Sequence, residues 1–280
     1  MNRIKRATLS IITTTSLGIG AAQAAVVIWD NDSSNNSWQT ATNWDPDGVP
    51  AFNDDITIGN GDAVTHTPAS DLQINGGGSL TISGGSSWTQ TTTHWTQIVD
   101  GTMTLDNGTF TRSSGGNLVL AFNANDNGVI NATNSSINLG GELWFGHNLV
   151  SNTGNQVAQV TLNNSTIDAN GTVGIWFWDT DATDTSMSIN VIGAGSTIEA
   201  RVGRRNTGGS DNTVTWETLW NEGILQYNGG NDGSFSDHFI TSGTAGTVGY
   251  TLTSIPEPSS AALLGLAGLA LVMRYRRYGD

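Results

Sequence analysis

Cysteine is absent from this 280-residue chain. No disulfide framework, zinc–thiolate site or thiol nucleophile is open to it, so stability must come from packing and backbone pairing. Lysine is almost absent too. The single copy, Lys5, stands near the N-terminus with Arg3 and Arg6, and three arginines (Arg274, Arg276, Arg277) stand at the other end. Residues 25–254 hold only Arg112, Arg201, Arg204 and Arg205 as bases against 22 acids, a net charge of −18. Such a surface repels phosphate backbones and anionic lipid, which excludes nucleic acid as a partner. Helical periodicity is also missing between the two ends. Disorder is argued against by ten tryptophans, all within the body, since chains that bury nothing rarely carry such rings.

The familiar catalytic patterns are lacking as well. No Gly-x-Ser-x-Gly or phosphate loop is found, and His66, His94, His147 and His238 have no spacing of a metal triad or nucleophile relay. Hydrolysis of a glycoside needs two carboxyls roughly 5–10 Å apart, but the paired-Asp, Gly-His-Gly and Arg-x-Lys patterns of polygalacturonase-like enzymes do not occur. Gly146-His147-Asn148 is only a fragment.

What the chain has is a repeating unit: an apolar residue, a short polar turn, Ser or Thr, then another apolar residue. Copies start at Ile82, Leu105, Ala132, Leu162 and Ile192, with a degraded one from Leu219. Steps in the twenties to thirties indicate a solenoid or array. A parallel β-helix explains the unit: each rung is strand, corner, strand, and buries its inward side chains only by stacking. Asn and Gly suit the corners because they tolerate left-handed backbone angles. The reading is all-β, with Ile137, Ile167 and Ile198 in one inward column and Leu105, Leu162 and Ile192 in another. A β-sandwich, whose strands also recur between turns, is the alternative. Trp29, Trp38 and Trp44 precede the repeats and suit a cap over the open end of the stack.

Both termini read as handling segments. Arg3, Lys5 and Arg6, a diluted apolar stretch over residues 7–22 and the small-x-small site Ala22-Gln23-Ala24 form a secretory signal, with cleavage expected after Ala24. At the far end Pro256-Glu257-Pro258 precedes an apolar run over residues 261–273 and the basic cluster Arg274, Arg276 and Arg277. A helix over residues 259–273 would be about 22 Å long, short of the roughly 30 Å hydrocarbon core. Arginine side chains can stretch that span and hold their end cytoplasmic. This end resembles the sorting signal of the PEP-CTERM family of exosortase-sorted bacterial surface proteins, over about a tenth of the chain. The opening order Trp, Trp, Asn-Trp, Pro, Asp, Ile-x-Ile (residues 29–58) also resembles that of bacterial surface β-helix proteins. The resemblance implies Sec export, an exosortase-like processing enzyme as partner, a membrane-held stage, and association with exopolysaccharide or biofilm material.

The expected organisation is a signal peptide (1–24), a Trp-rich N-terminal cap (25–58), a β-solenoid body (59–254) and a sorting segment with one apolar helix (255–280). The expected function is that of a non-enzymatic, exported cell-surface or matrix protein. A secreted β-helix lyase or hydrolase and a calcium-assisted carbohydrate-binding module are the alternatives. Trp176 and Trp178 share one strand face, with Phe177 on the other. Together with Trp144 from the preceding rung they are the candidate sugar-stacking residues; aromatic packing between rungs is the competing reading. Asp179, Asp181 and Asp184 follow at once and can converge on a hard cation, so Ca²⁺ is the one cofactor the residues offer. No catalytic residue is assigned.

Overall fold

The computed structural model describes residues 24–123, 125–147, 156–178, 185–205 and 211–256. The chain winds a path of short strands that stack coil on coil. Ahead of the first full coil lie β1 (Val26–Trp29) and β2 (Trp44–Asp45), paired antiparallel. Six coils follow. The first holds β3 (Asp55–Ile58), β4 (Ala63–His66) and β5 (Leu72–Ile74). The second holds β6 (Ser79–Ser83), β7 (Ser87–Gln90) and β8 (Thr96–Ile98). The third holds β9 (Asp100–Asp106), β10 (Thr109–Arg112) and β11 (Leu118–Leu120). The fourth holds β12 (Asn127–Thr133), β13 (Ser136–Leu139) and β14 (Leu143–Phe145). In the last two, β15 (Gln156–Asn163) precedes the long β16 (Thr166–Trp178), and β17 (Thr185–Ile192) precedes β18 (Thr197–Arg205).

All strands of a face pair in parallel with their counterparts one coil away, so the body is an all-β parallel solenoid with three faces, not a sandwich. The cause is visible in each unit. Alternating residues such as Leu80-Thr81-Ile82 turn aliphatic side chains inward and hydroxyls outward. On the first face Ile58, Ile82, Leu105, Ala132, Leu162 and Val191 stand in register and are buried. On the second, Val64, Trp88, Phe110, Ile137, Ile167 and Ile198 do the same. The column expected through Ile137, Ile167 and Ile198 is therefore present. The expected placement of Ile192 is corrected: it pairs with Asn163 and is exposed, while its neighbour Val191 faces inward opposite Leu162.

The corner between these two faces carries an unbroken polar seam. Asn107, Asn134 and Asn164 take positive φ angles of 55°, 49° and 48°, the left-handed turn that asparagine tolerates. Just after them comes a buried serine ladder. The hydroxyl oxygen of Ser135 accepts the Gly108 N–H (3.0 Å), that of Ser165 accepts the Ser135 N–H (3.1 Å), and that of Ser196 accepts the Ser165 N–H (3.2 Å). Ser135 and Ser165 also donate to the carbonyls of Thr133 and Asn163. Corner amides that the strands leave unpaired are thereby satisfied inside the core. Gly108 fills the place of a serine in its own coil, and a Cβ there would lie 2.5 Å from the Ile82 carbonyl oxygen.

A second polar inclusion crosses the interior, where His66, Gln90, Arg112 and Leu139 stack in one column. The Arg112 guanidinium, 1% exposed, donates to Gln90 Oε1 (2.9 Å), Thr96 Oγ1 (2.5 Å) and the carbonyls of Gly116 and His94. Burial lowers its pKa to about 10, with the Asp71 charge acting the other way. Desolvation and then the Arg112 charge press His66 down to about 3, so that ring is neutral.

Both ends of the stack are closed by aromatic rings. At the start, Trp29 and Trp38 pack edge-on against Trp44 at centroid distances of 4.9 and 4.7 Å, all three buried. At the finish, β19 (Asp211–Thr213) pairs antiparallel with β18, and helix α1 (Trp216–Asn221) seats Trp216, Leu219 and Trp220 on the core. The degraded repeat expected from Leu219 is thus a helix, and the next rung of the first face is β20 (Leu225–Tyr227). A short helix α2 (Phe235–His238), β21 (Phe239–Ser242) and β22 (Thr251–Ser254) complete the end, with β22 antiparallel to both β18 and β21.

Candidate functional site

The third face differs from the other two on its outer side. Its central outward column reads Gln73, Gln97, Val119, Trp144, Trp176, Gly203 from one end to the other. At about 4.8 Å per coil it runs for about 24 Å. The near end is a chain of amides: Gln73 Nε2 donates to Gln97 Oε1 (2.9 Å), and Gln97 Nε2 donates to Asp71 Oδ2 (3.1 Å). The far end is aromatic.

Val119, Trp144 and Trp176 form a second apolar cluster outside the main core, with Trp95, Phe122 and Trp178 packed against it. The His147 ring stacks on Phe122 at 4.3 Å and on Trp144 at 5.4 Å, within 10° and 8° of parallel, and Trp95 and Trp178 close around it. Burial pushes the His147 pKa down. Beneath Trp178, Phe177 turns inward and stacks on Phe145 at 4.5 Å. The alternation expected of Trp176, Phe177 and Trp178 is therefore realised.

One ion pair ties the cluster together. Arg205 Nη1 and Nη2 donate to Glu142 Oε2 and Oε1 at 3.0 and 3.4 Å, and Trp144 Nε1 donates to Glu142 Oε2 at 2.7 Å. The same guanidinium lies over Trp176 (4.7 Å), Trp144 (5.3 Å) and Trp178 (5.6 Å), where the ring faces attract a cation. Arg204 pairs with Glu222, so Arg204 and Arg205 both form ion pairs.

The three tryptophans singled out from the sequence thus meet in one place. Trp144 and Trp176 are only 8% and 4% exposed, so they offer edges more than open faces, while Trp178, Trp95 and Phe122 are half-buried. Among the described residues the Nε1 atoms of Trp176 and Trp178 have no hydrogen-bond partner. The carboxylates expected to hold a cation (Asp179, Asp181 and Asp184) lie outside the described residues, and no group of three metal-ligating side chains occurs among the described ones. Sequence reasoning missed Trp95, Phe122, Glu142 and the role of Arg205. They come from four separate coils, and the only available signal was spacing: Trp95 to Trp144 is two rungs and Trp144 to Trp176 is one.

Comparison with known proteins bears on the end of the chain. The PEP-CTERM protein-sorting motif matches residues 254–277, a stretch that takes in Pro256, Glu257, Pro258, Arg274, Arg276 and Arg277. The chain thus carries a PEP-CTERM protein-sorting motif at this end. Neither the curated proteins nor the solved structures yield a match. The motif implies an exported protein sorted through its C-terminus to the surface by an exosortase. Its match begins at Ser254, the last residue of β22, and Pro256 is exposed. Among the described residues no helix is long and apolar enough to cross a membrane; the apolar helix expected over residues 259–273 lies outside them.

Proposed function

We propose that this protein is a non-enzymatic matrix component whose solenoid holds exopolysaccharide along its third face. The observation that carries the reading is the outer column of amides followed by aromatics. Pyranose rings present apolar C–H faces that pack on indole and phenyl rings, and hydroxyls that pair with amides and guanidinium groups. A straight stripe spanning six strands suits a linear polymer better than a compact ligand. The absence of catalysis is supported by the commitments of the nearby carboxylates. Glu142 is engaged by Arg205 and Trp144, and Asp71 by the Trp95 N–H and Gln97.

The acidic run Asp179, Asp181 and Asp184 follows Trp178 directly and would add Ca²⁺-bridged contacts to sugar hydroxyls. Delivery would begin with Sec export and removal of residues 1–24, and pass through a membrane-held stage on the segment after Pro258.

Affinity electrophoresis of the full chain in gels containing soluble neutral or uronate-rich polysaccharide tests the binding. Trp178→Ala is expected to lose retardation at temperatures where circular dichroism shows it still folded, although the lost packing against Trp144 and His147 lowers its melting temperature. Full retardation by the variant, or none by the parent on any polymer, removes the reading. Unchanged retardation after chelation removes the calcium component alone. For delivery, mass spectrometry of surface material is expected to find a chain starting at Ala25 and lacking the segment after Pro258. An intact C-terminus there rules out processing.

A further inference from the structure

A second concavity lies at the opposite, N-terminal end, between the segment after β2 and the segment joining β4 to β5. Its volume is about 200 Å³, below the roughly 300–1,000 Å³ of pockets for drug-sized ligands, so it suits one small ring. Phe52 and Val49, 42% and 49% exposed, form one wall, and Trp38 with His66 forms the floor. Large hydrophobic side chains this exposed are few among the described residues, and two of them meet in this cleft.

The polar groups are equally selective. Asp71 lines the cleft as a pure acceptor, and Gln39 adds an amide. His66 is 4% exposed and wedged between Trp38 (5.0 Å) and Trp88 (5.3 Å), and its Nδ1 has no partner among the described residues. Burial and the Arg112 charge keep that imidazole neutral, so the floor of the cleft carries no charge. A carboxylate beside a neutral imidazole, with no arginine or lysine lining the cleft, favours hydroxyl donors over anions.

We infer that this cleft binds a single uncharged sugar ring, its apolar face on Phe52 and its hydroxyls on Asp71 and Gln39. The site meets the amide end of the stripe at Asp71, which accepts from Gln97, but its apolar wall is separate and it does not depend on the stripe holding polymer. Its preference would also be distinct, since the stripe carries arginine and the cleft carries none.

Ligand-observed NMR and calorimetry on the full chain, with the methyl glycosides of glucose, galactose and mannose and of galacturonic acid, test the inference. At least one neutral glycoside is expected to saturate in the millimolar range, with the galacturonide about tenfold weaker or worse. Phe52→Ala removes an exposed side chain, so the fold should persist while affinity falls about tenfold; Asp71→Asn should weaken binding as well. Trp178→Ala should leave it unchanged. The inference is overturned if no neutral glycoside saturates, if the galacturonide binds equally well, or if Phe52→Ala binds like the parent. Loss on Trp178→Ala with none on Phe52→Ala would place the sugar on the stripe and likewise reject the cleft.

Discussion

The Trp176 ring lies across the backbone of Gly203. A methyl group added at Gly203 would sit 2.4 Å from Cζ3 of that ring and 2.8 Å from the Asn212 carbonyl oxygen. The stripe's last tryptophan is thus seated on a residue without a side chain, and the outward column can end in a flat surface.

Gly203→Ala should therefore destabilise the protein by about 1–3 kcal/mol, the usual range for overpacking. Chemical denaturation read by tryptophan fluorescence measures it. A change under about 0.5 kcal/mol, the level of a neutral surface substitution, would mean that the ring moves aside freely.

Arg205 and Glu142 are 15% and 19% exposed at their side chains, and removing either partner leaves the other charged and poorly hydrated. Glu142→Gln should cost about 2 kcal/mol, less than the 3–5 kcal/mol of a fully buried pair. Arg205→Gln should cost a similar amount and also loosen Trp176. The double variant should lose clearly less than the two single losses combined, and strict additivity would show that the pair is not coupled.

The serine ladder makes a separate forecast. Ser165→Ala strips a buried partner from the Ser135 N–H, and a buried donor left unpaired costs about 1–3 kcal/mol. Replacing exposed Ser34 in the same way should change the melting temperature little. Equal effects at the two positions would deny the ladder its structural part.

His66 supplies a pH dependence with a definite sign. The unfolded ring titrates near 6.5 and the folded one near 3. Between those values the unfolded chain binds the extra proton, so stability falls as pH drops through that window. The full effect below about pH 3 is on the order of 5 kcal/mol, and above pH 6.5 it vanishes. His66→Gln should flatten this part of the stability–pH curve; a parallel curve for the variant would contradict the assignment.

Much of this architecture could be read from the chain. The repeat starts at Ile82, Leu105, Ala132 and Leu162 fall in true register, because each is followed by a turn whose residues force the corner. The next start slipped by one residue. Ile189-Asn190-Val191-Ile192 ends in two adjacent apolar residues, so alternation alone could not say which faces inward. Helix α1 escaped notice because six residues are too few to establish a helical period.

The site was legible in part for a related reason. Trp144 and Trp176 occupy equivalent rungs, and Trp178 shares a face with Trp176, so period and alternation bring them together. Arg112 was visible only as a rare base, and nothing local shows that it lies in the core. The ladder serines show in the sequence only as the Ser or Thr of the repeat unit, since a turn serine and a buried one look alike until the coils are stacked.

The final strand connects the sorting signal to mechanics. Ser254 ends β22, begins the matched motif, and supplies the last hydroxyl of the ladder, accepting the Ser196 N–H at 3.0 Å. Its strand is gripped on both edges, by β18 and by β21. A pull on the tail in line with β22 would load these two rows of hydrogen bonds in shear, all at once, instead of unzipping them singly. While tethered through its C-terminus, the solenoid would meet drag from the surrounding medium at a strand held on both edges.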